Sequence, residues 1–293
     1  MSGSGAYGPD PGGPDPVVGR PAPAGEPRWT PFTSVADYLS LPHSLRPPVW
    51  RERRAEAERR PHLAGPPPAA PVAGAPVLVV PGFGASDDAF ADLRGWLALG
   101  GWAPVESRLP GRRRCGSAEA DEVEALLLEV ADVHALPVTL VGHSRGGQLA
   151  KAAARRHPHL VAGVVAYGSP LTDPFGTHVV VRVLTLYLSY LTRTGRGDYV
   201  RECATGECCR AFHDDVVGRL PEDLPFWSLY SRTDGIVQWQ TCLDPQARTL
   251  EVAGTHGGMP ANPDVWSALA TALADPRIAA RLRGTVPMRG GSA

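Results

Sequence analysis

The sequence predicts an α/β fold with a mostly parallel central sheet and helices on both of its faces. Short apolar, β-branched runs alternate with helical patterns from Val77 to Ala274, which is the rhythm of βα units that build parallel sheets. One of these runs ends at a glycine-rich turn that a helix follows. The 293 residues are 43% hydrophobic and 20% charged, a composition that suits a globular protein with a sizeable core.

The glycine-rich turn is Gly142-His-Ser-Arg-Gly146, and it fits the pattern G-x-S-x-G. The strand predicted over Val138–Val141 precedes it, and a helical pattern over Gln148–His157 follows. Strand, tight turn and helix in this order are the context of a nucleophile elbow, which exposes the hydroxyl of Ser144 above the sheet. Glycines on either side of the serine avoid collisions with the strand and the helix. An ordinary glycine-rich βα turn is the alternative interpretation.

Composition divides the chain into three parts. Residues 1–76 are rich in Gly, Pro and Ala. We expect disorder up to about Pro27 and a linker over Pro61–Pro76. Between them, Val49–Arg60 is predicted to be a charged helix, either a solvated appendage or an interaction helix. We expect residues 77–283 to form the folded domain and residues 284–293 to be a disordered tail.

Within residues 77–283 the apolar patterns predict six strands and four main helices. The strands are Val77–Val80, Ala103–Ser107, Val138–Val141, Val161–Tyr167, Phe226–Ser231 and Leu250–Ala253. The helices lie around Phe90–Leu97 and over Ala118–His134, Gln148–His157 and Pro263–Ala274. The second helix is strongly periodic, with Val123, Leu126, Leu127, Val130 and Val133 at helical spacing.

Residues 171–224 break the alternation of strands and helices. An insertion of this size after a core strand is a candidate helical lid over a pocket, or alternatively a structural excursion that covers a sheet edge. Its apolar segment Val179–Leu191 is interrupted by Arg182 and is too short to span a bilayer. The apolar residues of this segment are suited either to line an acyl-chain site or to pack the insertion onto the body. They are Val180, Val181, Leu184, Tyr187 and Leu188.

Charge, targeting and cysteine content narrow the range of functions. The net charge of −1 gives no field for nucleic acid or an anionic membrane. No signal peptide is visible, so we expect a cytoplasmic protein without stable membrane insertion. Five cysteines leave at least one thiol outside any internal pair, and none has C-x-x-C or zinc-site spacing. We expect reduced thiols, with one disulfide left open, and no metal or other cofactor.

Two more reactive side chains follow strands later in the chain. Asp234 comes after the Phe226 strand and His256 after the Leu250 strand, and ligands of parallel sheets bind beyond these carboxyl ends. In such a site His256 takes the proton of Ser144, and Asp234 fixes the tautomer of the imidazole and stabilises the imidazolium. The backbone N–H groups of Phe83 and Arg145 are the candidate oxyanion donors.

Other interpretations of these residues remain open. Asp234 precedes Gly235 and could be a turn residue, and His256 could be a solvated loop histidine. Asp173 follows the preceding strand and is the rival acid. The other candidate histidines are His143, which we expect to point away from the site, and His178 and His213 in the insertion.

The chain resembles the α/β-hydrolase superfamily, and within it actinobacterial lipase- or esterase-like serine hydrolases. The similarity lies in Gly142–Gly147, Pro81–Gly84, Tyr230–Val237 and Thr255-His256, with the C-x-x-G-x-C-C segment Cys203–Cys209. It covers about Val77 to Ala274 and implies Ser144 as nucleophile, Asp234 as acid, His256 as base, and Phe83 and Arg145 as oxyanion donors. Gly257 stands where such relatives often have a cysteine, which implies that Cys242 is a thiol here.

From these residues we expect a serine hydrolase that cleaves small-molecule carboxylic esters through an acyl-enzyme. The same three side chains also serve thioesterases and acyltransferases, and sequence does not separate these from an esterase. A non-catalytic binding protein on a hydrolase fold is a further alternative, although all three reactive side chains are present. The oligomeric state is left open.

Overall fold

The structure, a computed structural model, describes residues 59–109, 115–177 and 209–284. Six strands in these ranges form one sheet in the order β2-β1-β3-β4-β5-β6, and every neighbouring pair is parallel. The strands are β1 (Pro76–Val80), β2 (Ala103–Glu106), β3 (Val138–His143), β4 (Val161–Tyr167), β5 (Phe226–Tyr230) and β6 (Arg248–Glu251). The predicted parallel sheet is therefore confirmed.

The central strands are apolar on both faces of the sheet. In β1, Leu78 and Val80 belong to one core cluster, whereas Val77 and Val79 belong to the other. All four side chains are fully buried. Continuous β-branched runs form such strands because both faces of a parallel sheet are covered by helices, and each fully buried side chain of this size contributes about 1.5–3 kcal/mol.

Six α-helices of the described residues cover the two faces of the sheet. They are α1 (Ala91–Leu99), α2 (Gly116–His134), α3 (Arg145–Arg156), α4 (Arg210–Val217), α5 (Pro263–Leu273) and α6 (Pro276–Leu282). Helices α2, α3 and α4 contribute to one core cluster, and α1, α5 and α6 to the other. The helices therefore pack on both faces, as the alternation of patterns predicts.

The periodic face of α2 is buried except at its end. Val123, Leu126, Leu127 and Val130 are buried, but Val133 is 73% exposed. Helical spacing specifies the direction in which a side chain points, but not how far the neighbouring surface extends. Val133 lies in the last turn of α2, so it keeps the helical spacing predicted from the sequence but lies beyond the buried part of the helix face.

The boundaries of three elements differ clearly from the sequence prediction. Strand β3 continues two residues further to His143, and α3 begins directly after Ser144 rather than at Gln148. Strand β6 is Arg248–Glu251 rather than Leu250–Ala253. It is an edge strand with partly exposed side chains. Such a strand can carry polar residues, so it lacks the continuous apolar run by which the buried strands are recognised.

The part of the predicted linker that precedes β1 lies against the folded body. The indole N–H groups of Trp96 and Trp102 donate to the carbonyl oxygens of Gly65 and Pro68, at 3.0 and 2.9 Å. The backbone N–H of Ala70 donates to the carbonyl of Gly100 at 2.8 Å. A Pro/Ala-rich composition indicates weak burial, but it does not reveal that tryptophans elsewhere supply donors for this backbone.

Much of the predicted lid lies outside the described residues. Of residues 171–224 the structure describes 171–177 and 209–224, and the latter contain α4, which packs on α3. Val179–Leu191 with its proposed lining, residues 1–58 with most of the predicted charged helix, and residues 285–293 are outside. Within the part of the chain that is described, no helix is long and apolar enough to cross a membrane.

Candidate active site

The candidate site lies at the carboxyl ends of β1 and β3. The chain proceeds from β1 to β2 on one side and returns to β3 on the other, which makes this the switch point of the sheet, where ligands of open α/β sheets bind. A β-carbon added to Gly82, in the turn after β1, would lie 3.0 Å from the β-carbon of Ser144. The turn that carries Phe83 therefore lies directly beside the serine.

The backbone at Ser144 has the geometry of a nucleophile elbow. Its φ is 54° and its ψ is −122°, a left-handed conformation that is strained for any residue with a side chain. A β-carbon at Gly142 would collide with the backbone of Gly146, and one at Gly146 would collide with the carbonyl oxygen of Val80. The two glycines therefore let helix α3 start immediately after the serine.

His256 bridges Ser144 and Asp234. Its Nε2 lies 3.0 Å from Oγ of Ser144, and its Nδ1 lies 2.7 Å from Oδ2 of Asp234. When Nδ1–H donates to the carboxylate, Nε2 carries the lone pair that can accept the serine proton. The structure thus brings together the three side chains that the sequence places after three different strands.

Asp234 and its rival Asp173 lie in different environments. Asp234 is 3% exposed, and its Oδ1 accepts hydrogen bonds from the backbone N–H groups of Ile236 and Val237, each at 2.8 Å. It is therefore a turn residue as well as the partner of His256. Asp173 is exposed, and its Oδ1 accepts from the N–H of Phe175 at 2.9 Å.

The loops after β5 and β6 are tied together below these side chains. The carbonyl oxygen of Gly254 accepts hydrogen bonds from Oγ of Ser231 at 2.7 Å and from Oγ1 of Thr233 at 2.9 Å. The amide of Asn262 donates to the carbonyl of Ala253 at 2.9 Å. The two bonds to Gly254 fix the loop of Asp234 relative to the loop of His256, and the bond of Asn262 fixes the His256 loop at the start of α5.

His143 does not point away from the site, contrary to the sequence prediction. Its ring lies 4.7 Å from the ring of His256 and 5.0 Å from that of Tyr167, between centroids, and the residue is 6% exposed. Burial lowers the pKa of His143 well below its usual value, and the neighbouring His256 lowers it further. Because strand β3 extends to His143, its side chain lies over the end of the sheet as a neutral ring against His256.

The side chain of Arg145 is held beside the serine by three neighbours. Its Nε lies 2.7 Å from Oε2 of Glu119, and both side chains are largely buried. Its guanidinium lies 5.1 Å from the ring centroid of Phe83 and 5.9 Å from that of Phe212, within the range of cation–π contacts. The two residues named as oxyanion donors therefore contact each other through their side chains.

The remaining candidate residues are His213, Cys242 and His178, and His178 lies outside the described residues. The ring of His213 packs against Phe175 and Phe212, at centroid distances of 4.7 and 5.6 Å. Cys242 is a buried thiol, as the resemblance implies, and burial together with the charge of Asp234 raises its pKa. No group of side chains suited to a metal ion is present among the described residues.

No model of a protein family and no curated protein matches the sequence, but solved structures do match. The metagenomic carboxyl esterase MGS0156 has a TM-score of 0.51 at 17% identity, covering 70% of this chain and 76% of its own. A structure from the metagenome-derived lipolytic enzymes LipS and LipT gives 0.51 at 15% identity, covering 70% and 95%. The mature lipase BlEst2 of Bacillus licheniformis gives 0.48 at 15% identity, covering 73% and 96%.

The sheet order and the first two of these superpositions decide the fold. The chain has the α/β-hydrolase fold. In this chain the side chains of Ser144, Asp234 and His256 follow β3, β5 and β6 and meet at the carboxyl ends of these strands. Sequence reasoning missed Glu119, because a glutamate in the first turn of a helix belongs to no catalytic motif. It also missed the contact of His143, which depends on the exact end of β3.

Proposed function

We propose that the protein is a serine hydrolase that cleaves carboxylic esters through an acyl-enzyme. The observation that carries the proposal is the position of His256, with one ring nitrogen 3.0 Å from the Ser144 hydroxyl and the other 2.7 Å from a buried carboxylate. A serine hydroxyl is weakly nucleophilic at neutral pH, and this arrangement supplies both the base and the group that orients the base.

The reaction proceeds in two halves. In the first, Ser144 Oγ attacks the ester carbonyl while His256 Nε2 takes its proton, and the tetrahedral intermediate then expels the alcohol, which receives that proton from the imidazolium. In the second, His256 activates a water that attacks the acyl-serine and releases the acid. Asp234 remains a carboxylate throughout and stabilises the imidazolium.

The N–H groups of Phe83 and Arg145 are the proposed donors to the oxyanion. Support comes from their places in the chain, since Arg145 is the first residue of α3 and Phe83 lies in the turn that contacts Ser144. The ion pair of Glu119 with Arg145 and the contact of Arg145 with Phe83 hold both segments in place. Donors fixed before the reaction need no reorganisation when charge develops on the substrate.

An ester is the proposed substrate because two proteins of the same fold, with TM-scores of 0.51, are described as a carboxyl esterase and as lipolytic enzymes. The triad chemistry itself is shared with thioesterases and acyltransferases. The length of the acyl group is therefore a question for experiment.

A series of p-nitrophenyl esters of increasing chain length tests this function. We expect the intact chain to hydrolyse these esters. The acyl chain length that gives the highest kcat/KM then measures the length of the acyl site. Ser144→Ala should lower kcat by at least about 10⁴-fold, whereas Ser267→Ala, an exposed serine on α5, should leave kcat unchanged. Near-normal activity of folded Ser144→Ala would show that Ser144 is not the nucleophile. Faster turnover of thioesters with the same acyl groups would favour a thioesterase over an esterase.

A further inference from the structure

Two cysteines far apart in the chain meet beside helices α2 and α4. The Sγ atoms of Cys115 and Cys209 lie 3.5 Å apart although the residues are 94 positions apart in the sequence. Each cysteine directly precedes a helix, Cys115 before α2 and Cys209 before α4. The two side chains are therefore carried by neighbouring helix starts rather than by long loops.

The packing of the two helix starts keeps the sulfur atoms together. A β-carbon added to Gly116, the first residue of α2, would lie 2.9 Å from Cδ1 of Phe212 on α4. Phe212 and Cys209 are both buried in the core cluster that α2 and α4 share. The contact of the sulfur atoms is thus part of a packed interface within one fold.

We infer that Cys115 and Cys209 form a redox-active dithiol that closes to an intramolecular disulfide. A disulfide needs the sulfur atoms at about 2.0 Å, so closure requires them to approach from 3.5 Å. The proposed hydrolase function has no part in this inference, because neither sulfur belongs to the reacting groups.

A small-molecule disulfide, such as oxidised glutathione, is the oxidant for this step. Cys115 is only partly buried, so its thiolate attacks one sulfur of the small disulfide and releases the first thiolate. Cys209, which is 3% exposed, then attacks the Cys115 sulfur of the mixed disulfide and releases the second. The two protein thiols are oxidised, the small disulfide is reduced, and the released thiolates take up the two protons.

The bond would close a large loop that contains Ser144 and most of the insertion. Closing a loop of this length removes conformational freedom from the unfolded chain, so the oxidised protein should be more stable than the reduced one. We expect a rise in Tm of about 10 °C on oxidation.

Peptide mapping of the full chain after treatment with oxidised glutathione tests the inference. Trypsin releases Cys115 in the peptide Cys115–Arg145 but leaves Cys203, Cys208 and Cys209 together in Glu202–Arg210. The mapping therefore uses the double variant Cys203→Ser/Cys208→Ser, in which Cys209 is the one cysteine of its peptide. We expect a cross-linked pair of these two peptides that reduction separates.

Matched variants complete the test by thermal unfolding with and without the oxidant. Cys115→Ser, at a partly exposed position, should abolish the cross-link and the rise in Tm. Cys242→Ser is the control, because Cys242 is buried like Cys209 but takes no part in the proposed pair, and it should retain both. Cys209→Ser is made in the chain that keeps Cys203 and Cys208, and persistence of the cross-link in that variant would assign the partner to Cys203 or Cys208 and overturn the inference. Glutathione retained on Cys115 without a cross-link would overturn it as well.

Discussion

The loops that follow β4 and β5 contain the same kind of aspartate turn, but the two aspartates have different surroundings. Each contains an aspartate, Asp173 or Asp234, whose Oδ1 accepts a backbone N–H two residues ahead. Asp173 is exposed, whereas Asp234 is 3% exposed and its second oxygen contacts His256. The same local turn therefore occurs twice, and only one of the two carboxylates reaches the histidine.

The difference shows which property identifies the acid in this fold. A turn needs only one carboxylate oxygen, so sequence patterns that indicate aspartate turns cannot distinguish the two residues. A buried carboxylate needs partners for both oxygens, because an uncompensated buried charge is costly. Asp234 meets this requirement with two backbone N–H groups on one oxygen and the imidazole on the other.

The largest difference in kcat should be between the two variants in which one of these aspartates is replaced by asparagine. Asp234→Asn should lower kcat by about 10⁴-fold, because the amide holds His256 in the wrong tautomer. Asp173→Asn should change kcat by less than about 2-fold, because the exposed side chain accepts a hydrogen bond from its own turn and does not pair with His256. Steady-state kinetics on one ester measure both, and the opposite ranking would move the acid to the loop after β4.

A third carboxylate sharpens the comparison, since Glu119 is also buried but pairs with Arg145 rather than with a histidine. Glu119→Gln should lower kcat by about 10-fold, the size of a modest loss of oxyanion stabilisation, with KM nearly unchanged. Glu122→Gln, exposed on the same helix, is the control and should leave kcat unchanged. Equal kinetics of the two variants would mean that the ion pair does not position the oxyanion donors.

The smallest effect concerns His143, which unlike His256 is buried without a carboxylate. Its folded-state pKa lies below the unfolded value of 6.5, so the unfolded chain binds the proton first and stability falls as pH drops below 6.5. Between pH 7.5 and 5.5 this linkage costs on the order of 1 kcal/mol. His143→Gln should reduce the pH dependence of the free energy of unfolding by that amount, as urea titrations at the two pH values measure. An unchanged pH dependence would show that His143 binds its proton as readily in the folded state as in the unfolded state.

Much of the fold and the main side chains of the site could be predicted from the sequence. The buried parallel strands have continuous apolar runs, and the strained turn at Ser144 requires the small residues Gly142 and Gly146. The sequence places Ser144, Asp234 and His256 after three different strands, and the structure brings their side chains together at the carboxyl ends of β3, β5 and β6. Their catalytic roles remain proposals.

The remainder depends on contacts that no local pattern encodes. The edge strand β6 is partly exposed, so its apolar signal is weak. The docking of residues 60–75 depends on the indole N–H groups of Trp96 and Trp102, which lie elsewhere in the chain. The ion pair of Glu119 with Arg145 follows from helix packing. The contact of His143 with His256 follows from the end of β3, which periodicity places only to within a few residues.

Labelling with a fluorophosphonate, followed by mass spectrometry of the modified peptide, tests the central claim most directly. A serine activated by His256 should react to give one adduct per chain on Ser144, and Asp234→Asn should slow this labelling far more than Asp173→Asn does. The absence of an adduct on Ser144 in the folded protein would contradict the account of Ser144 as an activated nucleophile.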